Sequence, residues 1–404
     1  MKIRLVLIIA CLCLIPFAAL AEATPADLPA TATDVPVMAE DITDQVTFKA
    51  AGDLRLLRDG SYGRIWDSGL IRGICQLTIA APEGKTIGGV VIHWRAFPLA
   101  VTLQKPDGNG GWVDIASYEG KHYEQYYPVD GLDEIRIIHR DHPKENLRIL
   151  EVTVVTPGEL PEHVHVWQDP AEKVDLMLLH GHPDDELLWF GGLLPYYGGE
   201  LQKEVLVVCA APSHYQRRHE LLDALWTCGI RKHPVFLPLS DVITHNMNTV
   251  LDKWGRSTAE SLVTELYRRY KPDVVVTHDI LGEYGHGVHK AISYIARNAL
   301  TSAADETKYP QQVEQYGVWN VPKAYVHLYE ENQIQMDWWQ SLSTFQGRTA
   351  QDVAREAFLC HKSQQERAWA VQDHGEDDNS IFGLYHTTVG PDVIGGDMFE
   401  NLPN

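Results

Sequence analysis

The sequence predicts an α/β fold, a Rossmann-like mostly parallel sheet with helices on both faces, preceded by an N-terminal antiparallel β-sandwich domain. Two observations carry this expectation. From Val174 onward, short apolar runs alternate with stretches of helical periodicity, which implies parallel strands covered by helices. Before Gly158 the apolar runs are short, alternate in polarity and are broken by turns such as Pro-Asp-Gly and Gly-Asn-Gly-Gly, with no long helical period. A length of 404 residues suits two domains plus processed ends.

Taken in order, residues 1–21 read as a signal peptide: Lys2 and Arg4, an apolar run from Leu5 to Ile15, and a small-residue site at Ala19-Leu20-Ala21. The run is short for a membrane span of about 20 apolar residues. The apolar core before Cys11 is likewise short for lipid attachment, so the address expected is secreted or extracytoplasmic, with no stable membrane span in the mature chain. Residues 22–44, rich in Ala, Thr and Pro up to Val37, read as a flexible linker.

The net charge of −21 excludes a nucleic-acid binder, because phosphate contacts need clustered Lys and Arg. Outside the leader, Cys75, Cys209, Cys228 and Cys360 form no CxxC pair, which argues against structural zinc and leaves a disulfide permitted.

Residues 45–158 supply the sandwich, with strand-like runs LRLLRDG, ICQLTIAA, TIGGVVIHW, AVTLQKPDGNGGW, EIRIIHR and LRILEVTVV. The order RDGSYGRIWDS, GGVVIHW, DGNGGW and RILEVTVV resembles discoidin-like galactose-binding domains. That resemblance implies loops that carry carbohydrate or other ligands. Trp66, Trp112, Tyr123, Tyr126 and Tyr127 could stack on sugar rings; as core or hairpin residues they would have no such role.

After a connector at 159–171, residues 172–404 give strand candidates at Val174–Leu179, Glu204–Ala210, Val235–Leu237, Asp273–Thr277 and Ala324–Tyr329. Helices are expected near Leu187–Tyr197, Gln216–Cys228, Ser257–Tyr270 and Val288–Leu300. In such a sheet, ligands sit beyond the carboxyl ends of the strands. The first strand runs into HPDDE, carrying His182, Asp184 and Asp185; the fourth ends at His278 and leads into LGEYGHGVHKA. His182 and Asp185, three apart, can grip one cation, and either His286 or His289 can complete the set. Two imidazoles and a carboxylate with an open fourth position is the pattern of catalytic zinc. The non-haem iron triad shares it but belongs to a different fold and needs no extra Asp184.

HPDDE after a strand, RxxE at Arg217–Glu220 opening a helix that ends at Gly229, and GHxxH at Gly285–His289 resemble the N-acetylglucosaminyl-phosphatidylinositol de-N-acetylase family, also called PIG-L or LmbE-like, over about 170–404. The resemblance implies a zinc-dependent deacetylase, with ferrous iron as the other candidate metal, acting on an N-acetylated amino sugar or glycan of N-acetylglucosamine type. It implies His182, Asp185 and His289 as metal ligands and Asp184 as general base. His286 would be the acid or the oxyanion stabiliser, Tyr284 would also polarise the substrate carbonyl, and Arg217 and Asp241 would hold sugar hydroxyls. The family tail is matched by AREAFLCHKSQQ, a helix crossing the site, and FGLYHTTVGPDV, a returning loop; His361 and His386 there could contact substrate, although a helix-face or loop histidine is more often structural. His278 and Asp279 are candidates to orient a ligating imidazole, whereas His214, His219, His233 and His245 are read as surface or core. A Pro-Asp-Asp turn or a capping Asp would explain HPDDE alone, so it is the conjunction of motifs that points to a site. The rival reading is a glycan-binding protein whose α/β domain is catalytically inert.

Overall fold

The computed structural model describes residues 37–403 apart from 72, 213 and 368. The leader expected at 1–21 and most of the 22–44 linker lie outside the described residues. Residues 38–404 cluster as one compact unit.

The first part is antiparallel. Its strands are β1 Thr47–Lys49, β2 Trp66–Asp67, β3 Leu77–Ala80, β4 Ile87–Trp94, β5 Val101–Pro106, β6 Trp112–Tyr118, β7 Glu124–Leu132, β8 Glu134–His139 and β9 Arg148–Val155. They make a five-stranded sheet ordered β1-β3-β8-β5-β6 and a four-stranded sheet ordered β2-β9-β4-β7. Inward residues of both sheets, among them Ile79, Val90, Ile92, Leu103, Ile137 and Val152, form one apolar cluster. Each such side chain taken from water contributes about 1.5–3 kcal/mol. LRLLRDG, expected as a strand, instead starts with a 3-10 turn over Leu54–Leu57 capped by Asp53. Asp53 accepts from the Arg55 amide, which is the local bond that draws such residues out of strands.

The second part is built on β10 Leu176–His180, β11 Val205–Cys209, β12 Val235–Phe236, β13 Val274–Thr277, β14 Lys323–His327, β15 Gln333–Gln335 and β16 Ile381–Thr387. The sheet order is β12-β11-β10-β13-β14-β16-β15. The first five of these are parallel, β16 runs antiparallel to β14, and β15 runs antiparallel to β16. The helices are α1 Asp185–Leu188, α2 Tyr215–Thr227, α3 Met247–Trp254, α4 Arg256–Tyr270, α5 Gly287–Ala304, α6 Pro310–Tyr316 and α7 Ala350–Phe358. The two-residue side-chain period of β10 divides the core: Leu176 and Leu178 join α2 and α7 on one face, whereas Met177 and Leu179 join α3, α4 and α5 on the other.

Two expectations need correction. The helix expected over Leu187–Tyr197 is only α1, after which the chain turns through Gly191 at φ 48° and re-forms as a wide π-helical turn over Leu194–Glu200. A Cβ at Gly191 would stand 2.5 Å from the Asn379 side chain, so the close packing there requires glycine. FGLYHTTVGPDV, expected as a returning loop, holds β16, the strand that fills the sheet between β14 and β15.

Candidate metal centre and active site

Register puts the polar motifs at one edge. His180 lies opposite Cys209 and Leu179 opposite Thr277, so the turns that follow β10 and β13 leave the same end of the sheet. From the first turn, Asp185 Oδ2 lies 3.2 Å from His182 Nδ1. From the second, His289 Nε2 lies 3.3 Å from His182 Nδ1 and 3.2 Å from Asp185 Oδ2. Donor atoms bonded at about 2.0–2.2 Å to one tetrahedral ion lie about 3.3–3.6 Å apart, so this triangle fits a single zinc-sized cation.

The other atoms of these donors are held from behind. Asp241 Oδ1 is 3.2 Å from His182 Nε2, and Trp189 Nε1 donates to Asp185 Oδ1 at 3.0 Å. Glu283, wholly buried, is a hub: its carboxylate lies 2.9 Å from His289 Nδ1, 2.6 Å from His278 Nδ1 and 2.7 Å from His327 Nδ1. A proton on His289 Nδ1 is therefore favoured, leaving the Nε2 lone pair facing the triangle. The Gly181 amide donates to His278 Nε2 at 2.9 Å, which ties the two turns together. Nearby imidazoles drive the Asp185 carboxyl well below the usual carboxylate range despite its burial.

Asp184 stands beside the triangle. Its φ of 114° is strained for a residue with a Cβ, at a cost of about 1–3 kcal/mol, and such strain collects at functional sites. Arg217 donates to its Oδ1 at 2.8 Å, and its amide donates to Glu186 Oε2 at 2.8 Å. Burial pushes the Asp184 pKa up to about 6, with Arg217 opposing. His286 is half-buried, 4.9 Å between ring centres from His182, and its Nδ1 is buried without a partner. Burial, then the imidazoles of His289 and His182, push its pKa down to about 4. Tyr284, at φ 44°, exposes its ring toward the same space. A cavity of about 310 Å³ opens over these groups, rimmed further by Trp189, Arg367 and Trp369.

The eight residues expected to hold metal, catalyse or hold sugar hydroxyls therefore converge, whereas other candidates differ. Arg217 and Asp241 line the cavity, yet each is engaged with a site residue, Asp184 and His182 respectively. His361 faces no substrate space: it is wholly buried, 2.6 Å from Glu186 Oε1, and so braces the carboxylate that holds the Asp184 amide. His386 sits on β16 outside the cavity lining. His278 is the expected orienting partner, 3.4 Å from Asp185 Oδ2, whereas the Asp279 side chain has no such contact. His245, read as surface, stands at the cavity rim. Glu283 carried no role in the sequence reading; its place in the turn before GHGVH was the available signal.

Residues 177–300 match the family described as GlcNAc-PI de-N-acetylase, PIG-L. Among related proteins, 1D-myo-inositol 2-acetamido-2-deoxy-alpha-D-glucopyranoside deacetylase 2 of Saccharopolyspora erythraea is 31% identical over 176 residues, covering 37% of this chain and 63% of that protein. A deacetylase 1 of the same description from Catenulispora acidiphila is 27% identical over 184 residues, covering 39% of this chain and 56% of the other. The chain thus spans less than two thirds of the length of these relatives. Among solved structures, N,N'-diacetylchitobiose deacetylase from Pyrococcus horikoshii aligns over 49% of this chain and 73% of that one, at 16% identity and a TM-score of 0.35.

Among the described residues no helix is long and apolar enough to cross a membrane. Among the described residues, Cys75, Cys209, Cys228 and Cys360 are free thiols.

Proposed function

We propose that this chain is a metal-dependent deacetylase that hydrolyses the N-acetyl amide of an N-acetylglucosamine-type sugar or glycan. The observation that carries the reading is the donor triangle of His182, Asp185 and His289 with a non-ligating carboxylate, Asp184, beside it in one cavity. Zinc is the metal proposed, with ferrous iron the other candidate, since two imidazoles and one carboxylate suit both.

When bound, the ion supplies Lewis-acid polarisation of the acetyl carbonyl and makes a nearby water easier to deprotonate. Asp184 removes the proton from the attacking water, and its pKa near 6 suits a base at neutral pH. Arg217 occupies Oδ1 and so aims Oδ2 at the reacting centre. The oxyanion of the tetrahedral species is met by His286, neutral and with an unpartnered Nδ1, and by the Tyr284 hydroxyl. Asp184 then passes its proton to the departing nitrogen, the C–N bond breaks, and acetate and a free amine leave. Trp189, Tyr284 and Trp369, with ring centres 5.0–5.9 Å apart, form an aromatic wall suited to the apolar face of a sugar ring.

The antiparallel part we read as a discoidin-like sandwich at about 45–158, and the leader as an extracytoplasmic address. Its aromatics favour packing over sugar stacking: Trp66 and Tyr127 are buried, Tyr123 packs on Phe97 at 4.0 Å, and Trp112 lies under Arg136.

The test is acetate and amine release from a panel of N-acetylated sugars by zinc-loaded protein, beside an Asp184→Ala variant. Release by the parent, with an inactive variant that keeps its metal, supports the reading. No release from any substrate by metal-loaded parent would leave a glycan-binding protein with an inert α/β part.

A further inference from the structure

A second group of imidazoles and carboxylates lies away from the sheet edge, where α2 and the 159–171 connector pack against β4 and β7. Glu124, His165 and Asp223 each bring a donor atom within 4.8 Å of the others. His165 Nδ1 is 3.0 Å from Glu124 Oε1 and 3.9 Å from Asp223 Oδ1. His93 Nε2 is 3.6 Å from the same Glu124 oxygen. These separations bracket the donor spacing of a tetrahedral ion, about 3.3–3.6 Å.

Hydrogen bonding around His93 supplies the second observation. His219 Nε2 lies 2.9 Å from the Trp94 carbonyl, which can only accept, so that nitrogen carries the proton. His219 Nδ1 is then an acceptor, and His93 Nδ1, 3.4 Å away, is placed to donate to it. That leaves the His93 Nε2 lone pair facing Glu124 Oε1 at 3.6 Å, on a side chain more than nine-tenths buried. Two acceptors turned toward each other repel, and a cation held between them, with His165 Nδ1 at the same Glu124 oxygen, relieves that repulsion.

We infer that this junction binds a second divalent transition-metal ion of zinc type, held by Glu124, His165 and Asp223 with His93 facing it. The donor set disfavours calcium and magnesium, which take mainly oxygen ligands. Trp167 Nε1 donates to Glu124 Oε2 at 2.9 Å and Tyr62 OH donates to Asp223 Oδ1 at 3.1 Å, so both carboxylates are oriented from outside. His165 stacks on Trp226 of α2 at 4.6 Å. A cavity of about 500 Å³ bordering the group gives an ion its way in. Because the donors come from β7, the connector and α2, the ion would clamp the antiparallel part to the α/β part.

The experiment strips the purified full chain with a chelator, reloads it with zinc alone, removes the excess and measures zinc per chain. Its variants are His289→Ala, which breaks the sheet-edge triangle, Glu124→Gln, and the two combined, each checked for folding by circular dichroism. The expected contents are about two equivalents for the parent, about one for either single variant and about none for the double. One equivalent in the parent with none in folded His289→Ala overturns the inference. One equivalent in both parent and His289→Ala supports it while removing the sheet-edge site. If Glu124→Gln does not fold, parent and His289→Ala still decide; cobalt in His289→Ala, giving the visible spectrum of a tetrahedral ion, is the second readout, and no spectrum overturns the inference.

Discussion

The two His and carboxylate clusters differ in how they are assembled. At the sheet edge, two donors come from the turn after β10 and the third from the segment after its neighbour β13, and each imidazole of the triangle has a carboxylate behind it, Asp241 for His182 and Glu283 for His289. At the junction, His93, Glu124, His165 and Asp223 come from four separate places and meet only because the antiparallel part docks on α2. A sheet edge thus makes a stiff site from short motifs, whereas a docking surface makes a site whose existence depends on the docking itself.

The sharpest contrast comes from Asp184→Asn, which removes the base but no donor of the triangle. We expect kcat to fall about 10²–10⁴-fold with zinc content unchanged; loss of zinc along with activity would mean that Asp184 is a ligand. Next, Glu283→Gln weakens the support behind His289 and should lower metal affinity about 10–100-fold, read by chelator competition. Unchanged affinity would show that the three-histidine hub does not steady the triangle.

The junction should respond in stability. Zinc at about 100 times its dissociation constant stabilises the folded form by about 2.7 kcal/mol, so His289→Ala should melt several degrees higher with zinc than without, and Glu124→Gln combined with it should not. Equal zinc-induced shifts in the two proteins would erase the distinction between the clusters. The smallest effect concerns the loop that brings Tyr62 to the junction. Glu151 accepts from the Ser61 amide at 2.9 Å, and burial together with nearby Asp59 pushes its pKa up to about 7. A carboxyl held protonated in the fold stabilises fully below its unfolded value of 4.5, and that contribution is lost as pH rises through about 7. Melting temperature should therefore sag modestly over that window in the parent and less in Glu151→Gln; parallel curves would reject the assignment.

The same distinction explains what could be read in advance. All five parallel strands lie within two residues of their expected ends, because strands buried in a parallel sheet read as short continuous apolar runs. HPDDE and GHGVH were legible because three-residue spacings survive in one dimension. The helix after HPDDE was overextended, since Leu187 to Tyr197 keeps an apolar period through Gly191 and Gly192, and only the approach of Asn379 requires the break. β16 was missed because its pairing partner, β14, lies far back in the chain. Sequence left His361 open between a substrate contact and a structural place, and its burial against Glu186, a purely tertiary fact, decides for the second. The junction cluster had no local signature, as its donors are scattered from residue 93 to residue 223.

The position of β16 has a consequence for biogenesis. During synthesis β14 leaves the ribosome well before Ile381–Thr387, so the nascent sheet passes through a stage with an unpaired backbone edge. The antiparallel part, already complete, can settle first. Until the last strand arrives, the growing chain is open to intruding strands from its neighbours, and a truncation ahead of residue 381 should yield aggregates in place of a shortened soluble protein.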